Sequence, residues 1–314
     1  MTKITLKNVV LCSLLTFMNS DFSPHIGIFF LKGVAKLPFA IIYFLSDIFY
    51  LVLYYVVGYR KKVVFQNLKN AFPDKNNDEL NQISKKYYHH LSDLFLESIK
   101  MHDMKKEDFE KRMVMKNMDL LNPYFEKGKS VVVLTMHYAN WEWSNSFPLH
   151  VKHKILGVYK PLHNKHFNKF TNDSRKNMGA ELVQNSQVLR RVVTAKRNNE
   201  PVFIWLAGDQ TPPPSNKFWF NFLNQEAVFY PGPALISKRF NYPVFFQNIE
   251  KVARGKYQTS IELLFENPAD FSETEILKAY IRRMEEAIRK APEFYLWSHK
   301  RWKHERPADQ PLLD

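Results

Sequence analysis

The chain has 314 residues, a net charge of +14 from 45 Lys and Arg against 31 Asp and Glu, and one cysteine. That length holds one large domain or two, and the lone Cys12 excludes an intrachain disulfide or a multi-cysteine zinc site and points to a reducing compartment. The positive balance asks for a polyanionic partner: nucleic acid, an anionic membrane surface, or acidic and phosphorylated substrates.

VVLCSLLTFM (9–18) follows Lys3 and Lys7 and has the outline of a secretory signal. No small-x-small cleavage pattern comes after it, so a cleaved signal is not expected. LPFAIIYFLSDIFYLVLYYVVG (37–58) carries one charge, Asp47, in 22 residues, with Lys32 and Lys36 before it and YRKK (59–62) after. Its length suits a membrane span, and its tyrosines and flanking bases sit where interfacial anchors belong. Asp47 argues the other way, because a carboxylate in hydrocarbon is costly unless protonated or paired. A helix lying in the interface therefore competes with a spanning one, and a buried helix of a soluble core is the third reading. More bases follow the segment than precede it (Arg60, Lys61, Lys62, Lys69), which places the bulk of the chain on the cytoplasmic side.

Residues 78–100 put Leu80, Ile83, Tyr87, Leu91, Leu94, Phe95 and Ile99 on one face of a helix, with His89 and His90 as ordinary helix residues. SVVVLTM (130–136) is a short apolar run rich in β-branched residues, the pattern of a strand buried on both faces. It leads into HYANWE (137–142). His137 and Glu142, five positions apart, share a face in neither helix nor strand, so their meeting requires a corner between a strand end and the first turn of a helix. A His-x4-acid spacing arises by chance about once in such a composition. It occurs here also at His102/Glu107, in a charged stretch with no strand before it, and at His304/Asp309, which spans Pro307 in a polar tail, and both read as solvated surface. Further strands are expected at 154–159, 201–207, 242–249 and 257–265, with helices at 185–198 and 232–240 between them. A last helix is opened by a Ser272/Glu275 capping box, carries an apolar stripe of Leu277, Tyr280, Ile281, Met284 and Ile288, and is stopped by Pro292. The alternation predicts an α/β fold, a single mixed-sheet domain over 59–314 with helices on both faces, preceded by a hydrophobic membrane-anchoring segment over 1–58.

Five segments in order, YRKKVVFQNLKNAFPD (59–74), HYANWE (137–142), GVYKPLHN (157–164), GDQTP (208–212) and PEFYLWSHKRWKHERP (292–307), resemble the late acyltransferases of lipid A biosynthesis. These are lauroyl and myristoyl transferases of the lysophospholipid acyltransferase superfamily. SNKFWFNFLNQEA (215–227) is only loosely like the family's aromatic segment, and the first thirty or so residues match nothing in it. The resemblance implies O-acyl transfer from an acyl carrier protein thioester to a hydroxyl of a lipid A precursor, a glycolipid, at the bacterial inner membrane. Other lyso-lipids, such as a lyso-aminolipid or lysophosphatidic acid, are the competing acceptors. A catalytically silent membrane-associated binding protein is the alternative of another class.

An alcohol is a poor nucleophile at neutral pH and needs a base, and histidine titrates in the right range. His137 is thus the expected general base and Glu142 the carboxylate expected to hold its other nitrogen. The leaving thiol has a pKa of roughly 8.5 and needs little acid help. No metal or cofactor is expected. Arg175 falls at a basic position of the family and suits a phosphate, with a solvated helix arginine as the bland reading. Asp209 and Gln210 follow an apolar strand and belong at its carboxyl end, where α/β sites gather. They either contact the acceptor or stabilise a turn, and Asn164 and Lys160 share that ambiguity. Lys300, Arg301 and Lys303, interleaved with Trp297 and Trp302, read as a basic aromatic surface for headgroups or the acidic carrier. The spaced pairs His150/His153 and His163/His166 lack a third ligand and read as loop histidines. No helix-turn-helix, zinc-finger or RNA-recognition signature is present, so nucleic acid is not an expected partner.

Overall fold

The computed structural model describes residues 24–213 and 215–313. The apolar stretch at 9–18 lies outside them. Seven strands form one mixed sheet in the order β1-β9-β8-β2-β5-β3-β4. They are β1 (Met113–Lys116), β2 (Val131–Thr135), β3 (Lys154–Tyr159), β4 (Glu181–Gln184), β5 (Val202–Ala207), β8 (Val244–Ala253) and β9 (Lys256–Phe265). β4, β3, β5, β2 and β8 run parallel, and the antiparallel β8–β9 pairing reverses the direction for β9 and β1. β6 (Phe218–Phe222) and β7 (Gln225–Phe229) make a separate antiparallel hairpin.

Period-two alternation explains why β2 is apolar throughout. Val132 and Leu134 enter one core with Ile204, Leu206, Val244 and Phe246, while Val131 and Val133 enter the opposite one with Phe203, Trp205 and Phe245. The first face is covered by α3 (Lys61–Ala71), α4 (Asn77–Lys100), α8 (Val188–Arg197), α9 (Gly232–Phe240) and α10 (Glu273–Lys290). The second is closed by short 3₁₀ segments at Met118–Leu121 and Trp141–Leu149. α10 begins with the expected capping box, Ser272 Oγ accepting from the Glu275 N–H and the Glu275 carboxylate from the Ser272 N–H.

The N-terminal apolar stretch folds as α1 (Pro24–Lys36) and α2 (Phe39–Leu51), the latter running on as a π-helical segment (Val52–Val57). Phe39–Val57 is long and apolar enough to cross a membrane by length and composition. One face of it packs on α4 through Ile42, Ser46 and Tyr54, and the other leaves Ile41, Phe44, Ile48, Leu51 and Tyr55 exposed. Polar contacts fasten the packed face. Tyr43 donates to Glu97 at 2.8 Å, Ser46 donates to Asp93 at 2.8 Å, and Asp47 pairs with Arg254 at 2.6 Å. Arg254 and Gly255 form the tip of the β8–β9 hairpin. Gly255 is at φ +70, and a Cβ there would lie 1.9 Å from the Tyr43 hydroxyl oxygen, so the backbone and the close approach both require glycine.

Candidate active site

β2 and β5 are adjacent and in register, with Thr135 opposite Ala207. The loops that leave their carboxyl ends therefore meet, and they carry His137 and Asp209. Tyr280 of α10 ties the two ends together, donating its hydroxyl to the Thr135 carbonyl and accepting from the Gly208 N–H at 3.0 Å. Gly208 is small for a reason: a Cβ would sit 3.1 Å from the Tyr280 ring.

Asp209 holds His137 twice, accepting from its backbone N–H at 3.1 Å and from Nδ1 at 2.8 Å. A carboxylate acceptor fixes the proton on Nδ1 and leaves the Nε2 lone pair facing outward. The Gln210 amide nitrogen lies 3.1 Å from that Nε2. The Asp209 side chain is 3% exposed and the His137 side chain 21%. Burial works against the imidazolium, yet the Asp209 charge and hydrogen bond, with Glu142 behind them, outweigh it and raise the His137 pKa above its ordinary value. Burial likewise pushes the Asp209 carboxyl up, and the His137 charge and N–H bonds overcome this and hold it low.

The corner expected between His137 and Glu142 is present, and the hydrogen bond expected across it is made elsewhere. Ala139 turns the chain at φ +49, an uncommon value for a residue with a Cβ. Its N–H donates to the Phe294 carbonyl at 3.0 Å, and its carbonyl lies 3.3 Å from His90 Nε2. Asn140 then caps the 3₁₀ segment, accepting from the Trp143 N–H, and its amide donates to the buried Glu97 at 2.7 Å. Glu142 falls in the first turn, as the spacing requires. Its carboxylate, however, is gripped by both arms of Arg175, which comes from the last turn of α7 (Lys165–Lys176). The fork holds the Glu142 carboxylate toward Arg175, and Asp209, on the adjacent strand end, takes Nδ1. Glu142 acts on His137 only through space. Burial raises the Glu142 pKa, and the Arg175 charge and hydrogen bonds more than reverse it.

The other residues singled out in the sequence separate. Arg175 is engaged by Glu142 and is not a solvated helix arginine. Asn164 caps α7, accepting from the N–H groups of His166 and Phe167 at 3.0 Å each. Lys160 is exposed in the loop before it. Asp209 and Gln210 are at the strand end with His137. His90 is buried against the Ala139 carbonyl, where burial depresses its pKa to about 3. A helix face rich in polar residues gave no sign that one histidine would brace a loop 49 positions away. A groove of about 440 Å³ opens behind the same loop, between α10 and the β8–β9 hairpin, with Tyr138, Phe246, Ile249, Ala287 and Phe294 in its wall.

The sequence model of one family, described as bacterial lipid A biosynthesis acyltransferase, matches residues 17–304. No curated protein matches the chain. Among solved structures, the 1-acyl-sn-glycerophosphate (LPA) acyltransferase from Thermotoga maritima is similar at 15% identity and a TM-score of 0.35, over 86% of this chain and 97% of that one. A likeness that loose carries no argument.

Proposed function

The chain belongs to the bacterial lipid A biosynthesis acyltransferase family, and from that membership we propose that it moves a fatty acyl chain from an acyl carrier protein thioester to a hydroxyl of a lipid A precursor. Acyl transfer to a lipid is the family's chemistry; the donor, the acceptor and the roles of individual side chains are our reading. One observation carries it: an imidazole whose Nδ1–H is held by a buried carboxylate and whose Nε2 faces outward from a strand end.

In this reading the acceptor hydroxyl takes the place of the Gln210 amide at Nε2. Its proton passes to His137 as its oxygen attacks the thioester carbonyl carbon. The imidazolium so formed is stabilised by Asp209 in contact and by Glu142 through space. When the tetrahedral intermediate collapses, the carbon–sulfur bond breaks and the thiolate leaves. With a pKa of roughly 8.5 it departs readily and recovers the proton from His137. Glu142 is thus reassigned from orienter to electrostatic support, and Arg175 keeps it ionised and fixed in place. Asp209 becomes the orienter.

The functional division we propose is a membrane-anchoring segment over 1–58 and a catalytic domain over 59–314. The outward face of Phe39–Val57 would rest in the cytoplasmic leaflet of the inner membrane. Two features support a helix lying in the interface: Asp47, near its middle, is tied to Arg254 at the tip of a β-hairpin, and the opposite face is apolar and exposed. The decisive experiment offers the purified full-length protein acyl carrier thioesters with a lipid A precursor and with other lyso-lipids, and reads product masses. His137→Ala should lower transfer by about 10²- to 10⁴-fold while membrane association and the circular dichroism spectrum stay unchanged. Turnover by that variant within tenfold of wild type removes His137 from the role of base.

A further inference from the structure

Arg175 is committed to Glu142 and so is not free for the phosphate-binding role expected of it. The carboxyl-terminal segment 297–303 is clamped on two sides. Arg60 donates to the Ser298 carbonyl at 2.9 Å, and Asn67 of α3 donates to the Trp297 and His299 carbonyls at 2.9 and 3.1 Å. Thr211, next in sequence to Gln210, reaches the Lys300 and Arg301 carbonyls from the active-site side at 3.2 and 2.8 Å. Between this segment and α3 lies a cleft of about 400 Å³ lined by Lys62, Gln66, Asn67, Lys300, Trp302 and Lys303.

Three exposed lysines line this cleft, and its lining contains no carboxylate. None of the three lysines pairs with an acidic side chain among the described residues. Like charges lining one concavity make its potential positive, which favours an anion there. The segment brings a further donor. Trp302, which lines the cleft, has a buried Nε1 with no hydrogen-bond acceptor among the described residues, whereas the guanidinium of the neighbouring Arg301 is buried over the Phe229 ring, away from the cleft. A buried donor left without an acceptor is expensive. The position of the cleft selects the kind of anion. Lys62 lies five residues beyond Val57, the end of the apolar Phe39–Val57 helix, so on the membrane reading the mouth of the cleft is at headgroup depth.

We propose that Lys62, Lys300 and Lys303 bind a phosphate of the membrane-lipid acceptor and so set which way its headgroup enters the His137 site. This rests on the acyl-transfer reading above and adds the recognition site for the acceptor. In the test, the Lys62→Gln/Lys300→Gln/Lys303→Gln variant of the full chain is assayed with a phosphorylated lipid A precursor and with the same lipid after phosphatase treatment. We expect the KM for the phosphorylated acceptor to rise about tenfold or more, with kcat and the acyl-carrier KM little changed. Wild type on the dephosphorylated acceptor should resemble the variant, and Lys→Arg at all three positions should restore binding. An equal loss on both acceptors, or a rise in the carrier KM instead, overturns the proposal.

A second arm needs no turnover and so separates this proposal from the proposed function. Wild type should sediment with phosphatidylcholine vesicles containing phosphatidic acid more than with vesicles of equal charge containing phosphatidylglycerol, and the triple glutamine variant should lose that preference. No preference in wild type sinks the cleft even if acyl transfer is confirmed. Loss of the preference in the variant supports it even if the lipid A precursor proves not to be a substrate. Inorganic phosphate that displaces wild type from the vesicles as effectively as the phosphorylated lipid does would reassign the cleft to a free anion and also overturn the proposal.

Discussion

Glu142 and Asp47 each close a salt bridge on an arginine, but Arg175 serves Glu142 alone while Arg254 is shared between Asp47 and the buried Asp93, and the two pairs sit in different surroundings. The side chains of Glu142 and Arg175 are 10% and 21% exposed, beside His137; those of Asp47 and Arg254 are 48% and 34% exposed, at the junction of α2 with the β8–β9 hairpin. The buried pair cannot be relieved by water when one partner is lost, so it fixes a geometry. The open pair is screened, and it locates a helix whose docking rests mainly on Ile42, Ser46, Tyr54 and the glycine at 255. The same two residue types thus build a site in one place and a latch in the other.

The contrast breaks most sharply at Glu142. Glu142→Gln keeps the shape and strands a buried guanidinium, which should cost about 3–5 kcal/mol of stability in urea titration along with most of the transfer activity. Adding Arg175→Met should recover much of the stability and little of the activity. If the double variant is fully active, the pair serves folding alone.

Asp209→Asn tests the other partner of His137. Because Asp209 raises the His137 pKa and only the neutral imidazole accepts a proton, kcat/KM should rise with pH through a midpoint above 6.5 in wild type. In the asparagine variant burial acts with less opposition, and the midpoint should fall. A pH profile that does not move would mean that Asp209 leaves the imidazole untouched. Asp209 also has a linkage of its own. Its depressed pKa gives stability that is present above the ordinary carboxylate range and is lost as pH falls through the lowered value.

At the open pair the effects shrink. Asp47→Ala should cost about 0.2–1 kcal/mol and become smaller still in high salt. A loss of several kcal/mol, insensitive to salt, would put that pair in the same class as Glu142–Arg175. Smallest for stability is Phe44→Ser on the outward face, where the side chain is 64% exposed. The change should stay within about 0.5 kcal/mol while vesicle binding weakens. Unaltered vesicle binding by this variant and by Ile48→Ser would remove α2 from the membrane contact.

What the sequence made legible was local. The five apolar strands, the capping box at Ser272 and the corner after Met136 each follow from a pattern within ten residues or so, and each is in the structure. β1 and β4 escaped because four-residue strands, MVMK and ELVQ, are too short to show a period. The β6–β7 hairpin escaped because its turn is Leu223–Asn224, at φ +52 and +62, instead of the asparagine–glycine pair that announces such turns. Its compensation is distant: the Leu223 N–H donates to Glu285 on α10, and Asn224 donates to the Ala71 carbonyl. The site divided along the same line. His137 and Glu142 were visible as a spacing, but the choice between Asp209 and Glu142 for Nδ1 depends on Arg175, 33 residues past Glu142, and on the pairing of β2 with β5. No short pattern encodes either.

The phenol of Tyr280 bridges Thr135 and Gly208 from a helix near the far end of the chain. During synthesis, β2 and β5 emerge from the ribosome long before that bridge exists, and the neighbouring strand β8 also follows them. The His137–Asp209 pair, which sits on those two strand ends, is therefore completed late. On the proposed reading, a nascent chain stalled short of residue 280 should already present its apolar helix yet be unable to acylate anything, so that attachment would precede activity in the life of each molecule.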